Sequence, residues 1–376
     1  MKVRLGNYIK EYSVRNKKDE DIPVYSVTNT QGFCQDYFGK EVASKDKTTY
    51  KIVPRGCFAF NPSRINVGSV DWQKNEERVI VSPLYNVFSV SEQLDQQYLY
   101  YYLKSDFAIQ KIRAVATGSV RDNLKLAMLY EFPIEIPVIA EQRKIVDRLD
   151  RVKWLIELRE KELQSLDELI KARFVELFGD PVLNEKGWDV RSFLDMGDCK
   201  NGMNFHYDDS GVELNCLGVG DFKDNSIIDN TSVLPMVSLN EMPSDEYLLR
   251  DDDIVFVRSN GNKALVGRSV AVYPGTIPTI FSGFCIRYRK HDENITIPYL
   301  LRVLKTDSIR KKMAGRGANI QNLNQKILGE LVIPIPPLDL QKQFSDFVTQ
   351  VDKSKAQVQK SLNETQLLFV MQKYFG

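Results

Sequence analysis

The stretch Glu141–Gly179, EQRKIVDRLDRVKWLIELREKELQSLDELIKARFVELFG, decides how the rest of the chain is read. Its apolar residues fall at Ile145, Leu149, Val152, Ile156, Leu163, Leu166, Ile170 and Leu177. The steps alternate between four and three, the spacing of a coiled-coil seam. Arg159 and Arg173 occupy two slots of the same series. No Gly or Pro interrupts the run, and Gly179-Asp180-Pro181 stops it. At 1.5 Å per residue, the spacing predicts a helix about 55 Å long. A helix of that length overhangs a small domain, so it is expected to separate two globular blocks.

The sequence around this helix is written twice. Gly118, Asn123, Leu124, Ile136, Pro137 and Gln142 recur 199 residues later as Gly317, Asn322, Leu323, Ile335, Pro336 and Gln341. The same offset relates Asn61 to Asn260 and Val67-Gly68 to Val266-Gly267. At an offset of 201, Tyr98-Leu99 and Leu103-Lys104-Ser105-Asp106 match Tyr299-Leu300 and Leu304-Lys305-Thr306-Asp307. Matches in one order at a nearly constant offset identify an internal duplication. A second seam follows the second copy, with Phe344, Val348, Val351, Val358, Leu362 and Phe369 standing 199 after positions of the first. Lys355 and Thr365 take the slots of Ile156 and Leu166, and Asp339 is expected to cap this helix.

Within each copy the pattern is mixed. Ile22–Val27, Arg55–Phe60 and Arg78–Val81 read as strands, with expected counterparts in Val212–Leu217, Asp253–Val257 and Gly267–Tyr273. Tyr98–Arg113 and Pro298–Met313 read as short helices, and Ile134–Ile136 and Leu331–Ile333 as last strands before the long helices. The expected class is α+β: two tandem globular α/β blocks separated by two long antiparallel coiled-coil helices, with a pseudo-two-fold internal repeat. The boundaries are 1–139 for block one, 140–180 for the first helix, 181–337 for block two and 338–376 for the second helix. The segment Gly179–Trp188 has the turn residues of a linker. Two like modules on an antiparallel rod suit a long ligand with separated half-sites, and double-stranded DNA, at about 34–36 Å per turn, is one.

Composition narrows the function. A chain of 376 residues with 43% hydrophobic and 27% charged content can hold two cores. Five cysteines with no CxxC pair argue for reduced thiols in a cytoplasmic protein and against a zinc site. The start MKVRLGNYIK has no apolar core of a signal peptide, and no run is long enough to span a membrane. His206 and His291 are the two histidines, which leaves little for His-based catalysis or metal binding. Net charge is +1, so polyanion contact must come from local patches.

Three local motifs then carry a resemblance across the whole chain. They are Ile136-Pro137 with Glu141-Gln142-Arg143-Lys144-Ile145 at the helix start, Phe174–Phe178 with Gly179-Asp180-Pro181 at its end, and Asn184-Glu185-Lys186-Gly187-Trp188 beyond. With the repeat plan, they resemble the specificity (S) subunits of type I restriction-modification systems. The second helix start keeps Pro336 and Gln341 but has Leu340 in place of the acid. The resemblance implies that each block is a target-recognition domain reading one half of a split site in double-stranded DNA. It implies helices that set the spacing and dock two adenine-methylating M subunits, with a motor-nuclease R subunit joining for cleavage. It also implies no catalysis and no cofactor in this chain, with S-adenosylmethionine, Mg and ATP bound by the partner subunits.

The residue chemistry fits that expectation. Asn61-Pro62-Ser63-Arg64 has half of an adenine-methyltransferase Asn-Pro-Pro-aromatic loop, and Gly218-Val219-Gly220 is a lone GxG; both read as turns. Basic residues cluster at Lys104, Lys111, Arg113, Arg121 and Lys125, and again at Arg302, Lys305, Arg310, Lys311, Lys312 and Arg316. Such residues suit phosphate contact, which positions without specifying. Lys104 and Lys305 recur in both copies, so their shared role is either phosphate binding or structure. Base readout belongs in loops where the copies diverge: Asn29 and Gln31, Asn61 and Arg64, Arg121, the run Arg258, Asn260 and Lys263, Arg268, and Arg316, Asn319 and Gln321. The apolar residues off the seam, Trp154, Leu155, Leu158, Leu169, Phe174 and Phe178, exceed what one partner helix needs and are candidates for M-subunit docking. Two rivals stay open at this stage: a coiled-coil scaffold that binds no DNA, and a free-standing DNA methyltransferase.

Overall fold

The structure, a computed structural model, describes residues 2–35, 46–116, 123–205, 209–222, 226–313, 322–371 and 374–375. The chain divides into two units: residues 1–161 with 359–376, and residues 162–358.

In the first unit the strands are β1 (Lys2–Arg4), β2 (Ile9–Glu11), β3 (Ser26–Thr28), β4 (Gly32–Cys34), β5 (Lys51–Pro54), β6 (Phe58–Phe60), β7 (Val70–Trp72), β8 (Arg78–Val81), β9 (Asn86–Val90) and β10 (Pro133–Glu135). Its helices are α1 (Gln96–Lys104), α2 (Asp106–Val115), α3 (Leu126–Tyr130) and the first part of α4 (Ile139–Phe178). The central sheet runs β2-β9-β6-β7, with β3-β4 and β5-β8 as separate pairs and β1 antiparallel to β10. Phe58 lies opposite Phe88 with their rings stacked at 5.1 Å. Around them Phe60, Tyr98, Tyr102, Leu129 and Phe132 complete a core that also takes Val146 and Leu149 from α4.

The second unit repeats the plan. Its strands are β11 (Asp189–Ser192), β12 (Gly197–Asn201), β13 (Val212–Leu217), β14 (Ile227–Ile228), β15 (Met236–Leu239), β16 (Asp253–Val257), β17 (Ser269–Val272), β18 (Thr279–Phe281), β19 (Cys285–Lys290) and β20 (Val332–Ile335). The helices are α5 (Ile297–Leu304), α6 (Asp307–Met313), α7 (Gln325–Gly329) and α8 (Leu338–Met371). The sheet runs β12-β19-β16-β17-β14, the order of the first unit with one strand added. β11 pairs with β20 as β1 pairs with β10. β13 joins β15 and β18 in a second sheet. The internal repeat is therefore a repeat of topology.

Several expected elements differ in detail for identifiable reasons. Tyr98–Arg113 is two helices, because Ser105 ends α1 and its Oγ accepts the Ala108 N–H to start α2. Arg55–Phe60 is split by Gly56, which turns the chain at φ +83° between β5 and β6. Ile22–Val27 shrinks to β3 and a single bridge at Val24, since Pro23 has no N–H for a ladder. Asp339 is not the cap of α8; it lies in that helix's first turn, where its charge still favours the positive end of the dipole.

The seam of α4 is as spaced. Ile145, Leu149, Val152, Ile156, Arg159, Leu163, Leu166, Ile170, Arg173 and Leu177 are all buried or half-buried. Within 145–178 the other positions that leave solvent are Val146, Glu162, Phe174 and Phe178. In the second unit this seam meets α8 in antiparallel sense: Phe174 packs edge-on to Phe344, and Lys355 pairs with Asp167 at 2.6 Å. In the first unit Val146 and Leu149 share a core with Tyr374 and Phe375 from beyond the end of α8. The helices are thus part of each core as well as connectors. The side chain of Phe369, the last expected seam position, lies outside the described residues.

One interaction is copied atom for atom. Gln142 has no exposed surface; its Oε1 accepts the Asp95 N–H at 2.8 Å, and its Nε2 donates to the carbonyls of Gln93 and Pro137 at 2.8 Å. Gln341, equally buried, accepts the Thr296 N–H at 2.9 Å and donates to Asn294 and Pro336 at 2.9 and 2.8 Å. Tyr98 and Tyr299 reinforce the same corner by donating to the carbonyls of Glu135 and Pro334. Gln142→Leu leaves a buried N–H and two carbonyls without partners, so the first unit should lose roughly 2–4 kcal/mol in urea unfolding. Faster amide hydrogen exchange should be confined to that unit, with Gln341→Leu giving the reciprocal pattern.

Candidate nucleic-acid interface

The loops that carry the candidate residues are built by the same devices in both units. After β6, the Asn61 Oδ1 accepts from the Ser63 N–H and Oγ at 3.1 and 3.0 Å, and a short helical turn Ile65–Val67 leads to Gly68 at φ +89°. After β16, the Asn260 Oδ1 accepts the Asn262 N–H at 2.7 Å, and the turn Lys263–Leu265 leads to Gly267 at φ +74°. Each glycine sits where an L side chain is strained, which explains the repeated Val-Gly pair. The cross-repeat Asn61 and Asn260 therefore shape their loops. Gly218-Val219-Gly220 is also a turn, closed by Asp221 Oδ2 on the Gly218 N–H at 2.8 Å.

Cationic side chains hold these loops against the helices. Lys104 Nζ donates to the carbonyls of Gly68 and, at 3.1 Å, Asn29, joining the Asn61–Gly68 loop to the β3–β4 turn that carries Asn29 and Gln31. Arg113 Nε donates to the Asn66 carbonyl at 3.1 Å. In the second unit Arg310 Nη2 donates to the Ala264 carbonyl at 3.2 Å, and Lys305 Nζ donates to Ser226 Oγ at 2.7 Å. Arg258 Nη1 reaches the Gly283 carbonyl at 3.3 Å. Of the two roles left open for Lys104 and Lys305, these partners support the structural one. Burial lowers the affinity of both ammonium groups for a proton. For Lys305, burial and the neighbouring Arg302 and Lys355 charges bring the pKa down to about 8, against the pull of Asp167 and Asp352.

Asn29, Gln31, Arg64, Arg113 and Arg268 are exposed. Asn29, Gln31, Arg64 and Arg268 stand on the loops that Lys104, Arg113 and Arg310 fasten, and Arg113 reaches them from α2, so the first unit brings Asn29, Arg64 and Arg113 together. The second gathers Arg258, Asn260 and Arg268 around the loop after β16. Arg121, Arg316, Asn319 and Gln321 lie outside the described residues, as does the Lys263 side chain. Sequence reasoning missed Phe284, which is 62% exposed beside this second loop. Its only signal was an aromatic after Gly283 in a short turn, a composition too common to single out.

The proposed docking residues separate cleanly. Trp154, Leu155 and Leu158 are 59%, 40% and 42% exposed on one face of α4. Leu169 is exposed as well. Phe174 and Phe178 correct the expectation: they are 1% and 2% exposed, packed against Tyr299 and Phe344 in the second core, and present no surface to a partner.

Comparison with known proteins settles the family. The model described as "Type I restriction modification DNA specificity domain" matches twice, over residues 2–168 and 185–365. The chain belongs to the type I restriction-modification DNA specificity family. The StySPI specificity subunit of Salmonella potsdam is 24% identical over 386 aligned residues, covering 96% of this chain and 82% of that one. The EcoKI specificity subunit of Escherichia coli K12 is 21% identical over 70% of this chain and 60% of its own. The fold of the S subunit from M. genitalium superposes with a TM-score of 0.53 at 17% identity, covering 100% of this chain and 96% of that one. A type I restriction-modification assembly structure superposes at 0.62, again at 17% identity, covering 98% and 94%. The chain is a type I specificity subunit with two target-recognition domains. The scaffold and free-standing methyltransferase readings find no support in the fold or in these relatives. Among the described residues no helix is long and apolar enough to cross a membrane.

Lys305 gives a pH test of this packing. Its folded pKa lies below its ordinary value of 10.5, so at this site the unfolded chain binds more protons between about pH 8 and 10.5, and the Lys305 contribution to stability rises with pH across that window. The buried thiols of Cys199, Cys216 and Cys285, whose pKa values are raised, act in the opposite sense. The test is therefore a difference: between about pH 7.5 and 9.5 the urea midpoint of the parent second unit should gain on that of Lys305→Met, which lacks the buried charge.

Proposed function

We propose that each recognition domain reads one half of a bipartite target in double-stranded DNA through the loops after β6 and β16. The observation that carries this is the repeat of one topology with divergent loop tips. The frame is common to both domains down to Gln142 and Gln341, whereas Asn29 and Arg64 in one have no residue-for-residue match to Arg258 and Arg268 in the other. A shared frame suits a repeating double helix, and unlike tips suit unlike half-sites. The exposed cations Arg64, Arg113 and Arg268 suit phosphate or base contact in this reading.

Specificity subunits work within an assembly, and the exposed Trp154, Leu155 and Leu158 offer a surface for an adenine-methylating M subunit, two of which flank the helices in this reading. An R subunit joins for cleavage. The chain itself is non-catalytic and cytoplasmic, and S-adenosylmethionine, Mg and ATP are held by the partners. The boundaries 1–139, 140–180, 181–337 and 338–376 describe recognition domains alternating with spacer helices.

Co-expression with a cognate M subunit followed by genome-wide mapping of N6-methyladenine should give a single split motif. Replacing residues 187–330 with the corresponding block of another family member should change only one half of it. No split motif, or change in both halves, counts against the reading. Separately, the double substitution Trp154→Ala and Leu158→Ala should weaken M association in pull-down at least tenfold while circular dichroism stays unchanged. Undiminished association would remove this face from the interface.

A further inference from the structure

The second unit holds an open hollow of about 590 Å³ beside the loop after β16. Ser259, Asn260, Gly261, Ser282, Phe284 and Asn322 line it. Gly218 and Val219 close its other side, so the exposed lining is mostly apolar, with the Phe284 ring set among the hydrogen-bonding groups of Ser259, Asn260 and Asn322. The ring is 62% exposed, yet its neighbours in sequence are fixed: Ser282 is 8% exposed and Cys285 fully buried. The Phe284 carbonyl accepts the Arg258 and Ser259 N–H groups at 2.7 and 3.4 Å, and the Gly283 carbonyl accepts Arg258 Nη1. A Cβ at Gly283 would stand 2.0 Å from Asn204 Oδ1, so the glycine lets that side chain pack against the turn. The Arg258 carbonyl accepts the Leu323 N–H at 2.8 Å, which brings Asn322 to the same rim. A rigid backbone thus holds an aromatic ring in solvent among amide and hydroxyl side chains. That combination matches what base recognition uses: polar groups for base edges and an apolar surface for base faces or thymine methyls.

We propose that Phe284 is a specificity-determining residue of the second recognition domain. Its ring seats against bases of that domain's half-site, while the Ser259 and Asn322 side chains and the Asn260 Nδ2 group meet base edges. This rests on the reading of that domain as a DNA reader. It adds a contact that the basic loops alone would not give, since cations on phosphates position the duplex without reading it.

The test uses the full chain assembled with its M subunits, comparing the parent with Phe284→Ala and Phe284→Tyr. Phe284→Ala should relax the methylated motif in the half controlled by residues 187–330 and leave the other half intact. Its preference for specific over random duplex should fall tenfold or more in competition binding, with an unchanged salt slope, because phosphate contacts are untouched. Phe284→Tyr, which keeps the ring, should keep the motif. A thermal melt matching the parent is expected for both, since most of the ring is exposed. An Ala variant with the parent's motif and preference ratio would overturn the proposal. So would an Ala variant whose defect is loss of M association, since the hollow would then be a protein-docking surface. If the parent complex itself gives no split motif, the DNA-reading assignment of the domain fails before the variant is reached.

Discussion

A buried glutamine at the start of each long helix fixes the rest of the architecture. Gln142 and Gln341 each join three backbone groups that come from two chain segments: the loop before a short helix and the corner before the long one. A primary amide supplies both donors and an acceptor in one rigid plane, so a single side chain satisfies groups that would otherwise be orphaned in the core. The direction in which each long helix leaves its sheet is set there. So is the position of α1, whose C-terminal Lys104 fastens the loop after β6, and of α5, whose C-cap Lys305 donates to Ser226 just before β14. In the first unit the loop is therefore positioned by a chain of contacts that begins at an amide deep in the protein.

Sharing the helices between cores changes what the seam has to do. In the second unit α4 contributes Ile170, Phe174 and Phe178, and α8 contributes Phe344 and Val351, to the same apolar cluster as Tyr288 and Leu300. The aromatic set Phe174, Phe178, Tyr299 and Phe344 interlocks largely edge to face at 4.7 to 5.8 Å, the arrangement that ring quadrupoles favour. Charged residues in the seam are tolerated because they find partners: Arg173 pairs with Glu176 and Lys355 with Asp167. Long stems let such heads reach water or a carboxylate while their methylenes stay in the groove.

The fold was legible in the sequence wherever geometry imposes a period. Seam spacing located both long helices and even placed Arg159 and Lys355 on the inward face. The offset of 199 foretold the duplicated topology, because a copied chain keeps its core positions. What failed was local: Ser105 as a helix break and Asp339 as a first-turn residue depend on which side-chain oxygen caps which N–H, and several serines and acids would have served. Phe174 and Phe178 were misplaced because an apolar residue off a seam looks the same whether it meets a partner protein or the domain next to it. The candidate interface was legible as to which loops carry it, less so as to role. The Lys104 ammonium and the Oδ1 atoms of Asn61 and Asn260 are engaged by local groups that no periodicity announces, and Phe284 offered only an aromatic after a glycine.

The division of the chain has a consequence for the order in which the protein matures on the ribosome. The unit built from residues 162–358 is continuous, whereas the other needs 359–376 in addition to 1–161. Phe375 lies edge-on to Tyr98 and Tyr102 at 5.1 and 5.8 Å, capping a cluster whose other members are translated long before. The domain encoded first is thus finished last. It must hold an open apolar face while nearly two hundred further residues emerge, and the later domain is free to close ahead of it.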